Sequence, residues 1–125
     1  MSTFQTFEEI EGWQKARELT RRVYDVSDVG AFSRDFGLRD QMRRAAVSIL
    51  TNIAEGFERA SRKEYLLFLN IAKGSAGECR SLCRVALEIG YFSEATHQDL
   101  HQRVVTLSRF LFNQINSIKR APIRQ

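Results

Sequence analysis

Proline is almost missing from this chain of 125 residues, which carries a single one at position 122. Roughly 120 residues are therefore free of the strongest helix breaker. Long apolar runs are missing too, and the longest stretch without a charge falls far short of the roughly 20 residues needed to cross a bilayer. A membrane-spanning reading is excluded. The first residues, MSTFQTFEEIEGW, lack a basic segment followed by an apolar one, so no secretory signal is visible and a cytoplasmic location is the expectation. In that compartment the two cysteines are read as reduced thiols. Signatures of catalysis are equally scarce: there is no G-x-S-x-G, no Gly-rich phosphate loop and no His placed beside a nucleophile. The expectation is a protein that is not an enzyme and holds no cofactor.

With 43% hydrophobic residues, a chain of this length buries a core as one domain without staples. Its net charge is +4, and 15 Arg stand against 4 Lys, a bias that suits bidentate contact with phosphates or carboxylates. Nucleic acid is one partner class compatible with that balance; solvated helical faces are the other.

Apolar residues recur at three- and four-residue steps in four stretches. Thr6 and Glu9 form a capping-box pattern before Phe7, Ile10, Trp13, Ala16, Leu19, Val23 and Val26, which predicts a first helix over about 7–27. Residues 28–37 mix Gly30, Ser33, Asp35 and Gly37 with Phe32 and Phe36 and read as a loop anchored by aromatic side chains. Leu38, Met42, Ala45, Ile49 and Ile53 predict a second helix over about 38–57. Ser61 with Glu64 caps a third, over 62–90, ending at Gly90, and a fourth runs over 95–119 before a basic tail at 120–125. Short connections and the lack of an internal repeat favour an all-α, antiparallel up-and-down four-helix bundle. Leu50, Leu66, Leu67, Ile71, Phe110 and Phe112 lie off the main rows, and a second apolar face implies self-association.

Cys79, Cys83, His97 and His101 spell C-x3-C-x13-H-x3-H, close to the spacing of a zinc finger. A finger places its Cys pair on a β-hairpin, whereas this pair lies on a helical row. Counting from the turn near Tyr91, Cys79 and His97 differ in level by about eight residues, or roughly 12 Å. The expectation is two core thiols and no metal. Glu94 with His97 is a lone E-x-x-H, where di-iron bundles carry two copies.

The polar row Arg44, Ser48, Asn52, Glu55 and Arg59 runs beside the core row of the second helix and should meet the third. Arg44 falls level with Ser75 and within reach of Glu78, while Gly74, Ala76 and Gly77 would let the helices approach closely. We predict a structural polar seam made by Arg44, Ser48, Asn52, Glu55, Gly74, Ser75 and Glu78, with an Arg44 to Glu78 ion pair. Among the basic residues, Arg43, Arg62, Lys63, Arg80 and Arg84 are the candidates for polyanion contact, because most others have an acidic neighbour at helical spacing.

These motifs resemble the four-helix bundle family named for 23S rRNA intervening-sequence proteins. The resemblance rests on Trp13, Gln14 and Ala16; on Gln41, Arg43, Arg44, Ala45, Ser48, Ile49, Asn52, Ile53, Ala54, Glu55, Gly56 and Arg59; and on Ser61, Glu64, Phe68, Leu69, Ile71, Ala72, Gly74, Ser75 and Glu78. It covers about 7–91, and the fourth helix matches only in periodicity. Ala76, Cys79 and Cys83 stand where larger aliphatics are usual, which supports the core reading of the thiols. What the resemblance implies is a ring-like homopentamer with no established catalytic activity. A related group, the accessory variability proteins of diversity-generating retroelements, implies a reverse transcriptase and nucleic acid as partners. The combined expectation is a homo-oligomeric binding or scaffold module that contacts RNA, or DNA, through basic outer faces. A module that binds only protein is the alternative.

Overall fold

The computed structural model describes residues 4–121. Four helices carry the fold: α1 (Glu11–Val26), α2 (Phe36–Phe57), α3 (Arg62–Ile89) and α4 (Glu94–Arg120), with short 3₁₀ turns at Phe7–Glu9 and Gly30–Arg34. There is no strand among the described residues, and none of the described helices is long and apolar enough to cross a membrane. Each helix packs on two others, α1 against α2 and α4, and α3 against α2 and α4. The pairs are antiparallel. Arg43 near the start of α2 meets Ser27 just beyond the end of α1, and Tyr65 at the start of α3 meets Gln114 near the end of α4.

The core is the sum of the four apolar rows. Leu19, Val23, Met42, Ile49, Ile53, Leu69, Leu100 and Leu107 are fully buried, and Ala45, Ala46, Ala72, Ala76 and Ala86 fill the space between them. Leu50 and Leu66 pack against this core, so they widen it rather than form a second face. Leu67, Ile71 and Phe112 stay exposed.

Two helix starts differ from the expectation. The Glu9 carboxylate accepts from the amides of Thr6 and Gln5 at 2.8 and 2.9 Å, closing a 3₁₀ turn of its own. Ile10 then turns extended (φ −74°, ψ 123°) and drops into the core, so α1 begins at Glu11 instead of residue 7. At α2 the cap is Asp35, whose carboxylate accepts from the Leu38 amide at 3.1 Å. The helix therefore starts at Phe36, which is 62% exposed and anchors nothing. Phe32 alone is the aromatic anchor, buried and stacked on Tyr91 at 4.9 Å with Phe92 edge-on at 6.1 Å.

α3 and α4 follow their caps. Ser61 accepts from the Glu64 amide, and Ser93 from the Thr96 amide, both at 3.1 Å. Gly90 takes the left-handed conformation (φ 94°) that ends α3, and the Tyr91 amide bonds back to Ala86. Of the basic tail, residues 122–125 lie outside the described residues.

Where α2 and α3 cross, Gly56 is the point of closest approach. A Cβ there would lie 2.9 Å from Phe68 Cβ and 3.0 Å from the Tyr65 ring. Gly56→Ala should gain about 1 kcal/mol of helix propensity and lose roughly 1–3 kcal/mol to overpacking. Net destabilisation is expected in urea unfolding, because the Tyr65 carbonyl oxygen, 3.3 Å away, belongs to the backbone and cannot swing aside.

Tyr91 also donates to Asp35 at 2.7 Å. This bond, helped by the Leu38 amide, holds the Asp35 carboxyl below its ordinary value and raises the Tyr91 phenol. A carboxyl depressed by folding contributes stability above its unfolded pKa, and that contribution is lost as pH falls through the folded one. Tyr91→Phe should therefore melt below the parent protein at neutral pH. The gap should narrow as pH drops below about 4, measured by thermal melts across the acid range.

Candidate functional site

The polar row of α2 does meet α3, but through fewer members than the spacing suggests. Ser48 and Ser75 hydroxyls lie 2.9 Å apart, and the Asn52 amide donates to the Ser48 carbonyl at 2.7 Å and to its hydroxyl at 3.0 Å. These three form the seam. Glu55 turns outward to pair with Arg59, which also lies 3.5 Å from Glu64 and over the Phe68 ring at 4.9 Å. That cluster ties the α2 to α3 turn together.

The Arg44 to Glu78 ion pair does not form. Both side chains are exposed, and no ion pair links them among the described residues. Level along the axis was matched, but the direction around each helix carries both outward past the Ser48 and Ser75 contact. Gly74 and Gly77 are corrected as well. A Cβ at either meets nothing within 4 Å, and both are exposed on α3 while Gly56 does the close packing.

The five basic candidates fall into different environments. Arg43 is half-buried, donates to Ser27 at 2.8 Å and lies over the Tyr24 ring at 4.5 Å. Arg62 donates to the Ala121 carbonyl and so joins the start of α3 to the end of α4. Arg84 pairs with Glu88 at 3.0 Å. Lys63 and Arg80 are exposed and without an ion pair among the described residues.

Two surface features bring together residues that the sequence singles out only separately. The first is one side of α2, where Phe36, Arg39, Asp40, Arg43, Arg44 and Val47 follow one another at helical spacing beside Tyr24 of α1. Arg39 lies over Phe36 at 4.7 Å, and Tyr24, Asp40, Arg43, Arg44 and Val47 line a shallow hollow. Tyr24 and Phe36 are both exposed, at 43% and 62%. The second lies on the opposite side of the bundle, in a groove between α3 and α4 lined by Arg80, Ser81, Arg84, His97 and His101 among others. The spacing of Arg80 with Arg84 and of His97 with His101 could have suggested it.

Cys79 and Cys83 are both buried in the core as free thiols. Cys79 is held protonated by its hydrogen bond with Cys83 and by burial. No group of three or more metal-ligating side chains converges among the described residues. The motif reading takes both imidazoles as exposed or partly buried; His97 is instead buried, and it stacks on the half-buried His101 with ring centres 5.8 Å apart.

A family model for the 23S rRNA-intervening sequence protein matches residues 8–113. The chain belongs to the 23S rRNA-intervening sequence protein family. The match takes in α1, α2, α3 and most of α4, so the family is defined by the whole bundle and not by the α2 to α3 hairpin alone. No curated protein matches the sequence. Among solved structures, a crystal structure of a protein with unknown function from the S23 ribosomal protein family of Bacteroides thetaiotaomicron is similar in fold. Its TM-score is 0.78 at 21% identity, over 84% of this chain and 95% of that one.

Within this family member the seam is a packing device. Ser75→Ala should destabilise by about 1 kcal/mol, since it removes one hydrogen-bond partner at a half-buried position. Arg44→Met should leave stability within roughly 0.5 kcal/mol of the parent, as expected for an exposed, unpaired side chain. Urea titrations of both variants check the contrast.

Proposed function

We propose that this protein is a non-enzymatic, self-associating scaffold that contacts single-stranded RNA through the α2 face. The carrying observation is the run of Arg–aromatic pairs there. Six cation–aromatic contacts occur among the described residues. Two of them, Arg39 with Phe36 and Arg43 with Tyr24, share one helix side with the exposed Arg44. Exposed rings offer stacking surfaces to unpaired bases, and neighbouring guanidiniums offer charge to the phosphates between them.

Self-association is supported by the outer side of α3. Leu67 and Ile71 are exposed, and Gly74 and Glu78 continue that side at steps of three and four, clear of the groove between α3 and α4. An exposed glycine inside a helix costs roughly 0.5–1 kcal/mol relative to Ala, a burden that a close neighbour would explain. Another copy of the chain is the reading preferred here, and the order of the ring, five, comes from the family resemblance. A ring would repeat each modest basic face around its circumference and raise avidity for a long polyanion. The same stripe leaves a second reading open, in which its occupant is a different polypeptide such as a reverse transcriptase.

Gel-shift titration with single-stranded RNA at two salt concentrations tests the RNA reading. Affinity should fall steeply with salt, and Phe36→Ala should weaken binding by about 1–3 kcal/mol if a base stacks there. Silence at low salt refutes it. Light scattering of Leu67→Asp tests assembly: a parent protein already monomeric removes the scaffold, and a variant that stays assembled removes the α3 seam.

A further inference from the structure

We propose that the groove between α3 and α4 binds a phosphate monoester. The groove encloses about 470 Å³, within the usual range for small-ligand sites. Its polar lining consists of Arg80, Ser81, Arg84, His97 and His101, and no carboxylate is among the lining residues. Arg80 has no ion pair among the described residues, while Glu88 holds Arg84 from outside the groove. One unpaired guanidinium, a second held only from outside, and no lining acid favour an anion.

His97 also lines the groove. It is 8% exposed, and its Nδ1 is sealed with no hydrogen-bond partner among the described residues. A sealed N–H without an acceptor is costlier than an unpaired lone pair, which favours the tautomer with its proton on Nε2. Nε2–H is then the ring's remaining donor. His101 stacks beside it, and the Ser81 hydroxyl stands exposed on the facing helix.

Charge and donor count choose among anions. A carboxylate has two oxygens, which one Arg fork satisfies. A phosphate monoester carries nearly two charges and three terminal oxygens, matching two guanidiniums and the neutral donors around them. The groove is larger than one phosphate, and Val85 with the bare backbone of Gly77 leaves room for the group that the phosphate esterifies. Two sources share this chemistry, a free mononucleotide and the 5′-phosphorylated end of an RNA strand.

The proposal does not rest on RNA contact by α2, since the two surfaces lie on opposite sides of the bundle. Amide and imidazole NMR titrations of the full chain with inorganic phosphate, adenosine 5′-monophosphate and adenosine test it. The two phosphates should shift Arg80, Ser81, Arg84, His97 and His101 at low millimolar concentrations, and adenosine should not. Arg80→Gln should weaken the monophosphate about tenfold, while Arg109→Gln, outside the groove, leaves it unchanged. Short RNAs with a 5′-phosphate or a 5′-hydroxyl separate the sources: a preference for the phosphorylated strand over both the hydroxyl strand and the mononucleotide assigns the RNA end. Equal response to adenosine and its monophosphate, no response to either phosphate, or shifts confined to other surfaces overturns the proposal. Circular dichroism of Arg80→Gln confirms that it folds, and Phe36→Ala, which disables only the α2 face, should bind the monophosphate normally.

Discussion

The crossing of α2 over α3 at Gly56 is the constraint on which the rest of the bundle depends. With only hydrogen on Gly56, the Tyr65 ring and Phe68 come against the α2 backbone, and Tyr65 is buried deeply enough to lose nearly all contact with water. Its hydroxyl then accepts from Gln114, so the same residue that closes the hairpin also reaches α4. Burial raises the phenol, which keeps that hydroxyl neutral. About two turns further along, Ser48 and Ser75 repeat the close approach with a hydrogen bond. Small residues at both places set the separation of the two helices, and the large core side chains fill what that separation leaves.

The charged residues play a different part. Arg22 and Arg103 share Asp99 between α1 and α4, and Arg59 joins Glu55 to Glu64 across a turn. All of these groups are at least partly exposed, and pairs of this kind contribute only about 0–1 kcal/mol each. They fix local geometry more than they stabilise the fold. The basic excess is thus free to shape the surface, with Arg–aromatic pairs on the α1 and α2 side and an arginine and histidine groove on the α3 and α4 side.

What could be read from the sequence was whatever local chemistry decides. α3 and α4 start within a residue of their expected positions because Ser61 and Ser93 are strong caps and no other group competes for their amides. The start of α1 was misread because Glu9 serves its own turn and Ile10 answers to the core instead of to helix periodicity. Phe36 was misread as an anchor because Asp35 caps α2 through the Leu38 amide, which makes Phe36 the first helical residue and leaves the buried aromatic contact to Phe32 and Tyr91. His97 illustrates the same limit, since nothing near it in sequence shows that its ring is sealed.

The sequence by itself determined that the chain is helical, where most of the helices lie, which rows are buried and which family it belongs to. The helical character, the helix positions and the buried rows follow from periodicity, capping and the near absence of proline, which act within a few residues, whereas the family follows from its motifs. Tertiary structure alone decided that Gly56 and not Gly74 carries the close approach, that Arg44 and Glu78 stay exposed and unpaired, and that Arg80, Arg84, His97 and His101 share one groove. The reason is rotational: spacing sets the level of a residue along its helix, but only packing against neighbours sets which way that level faces.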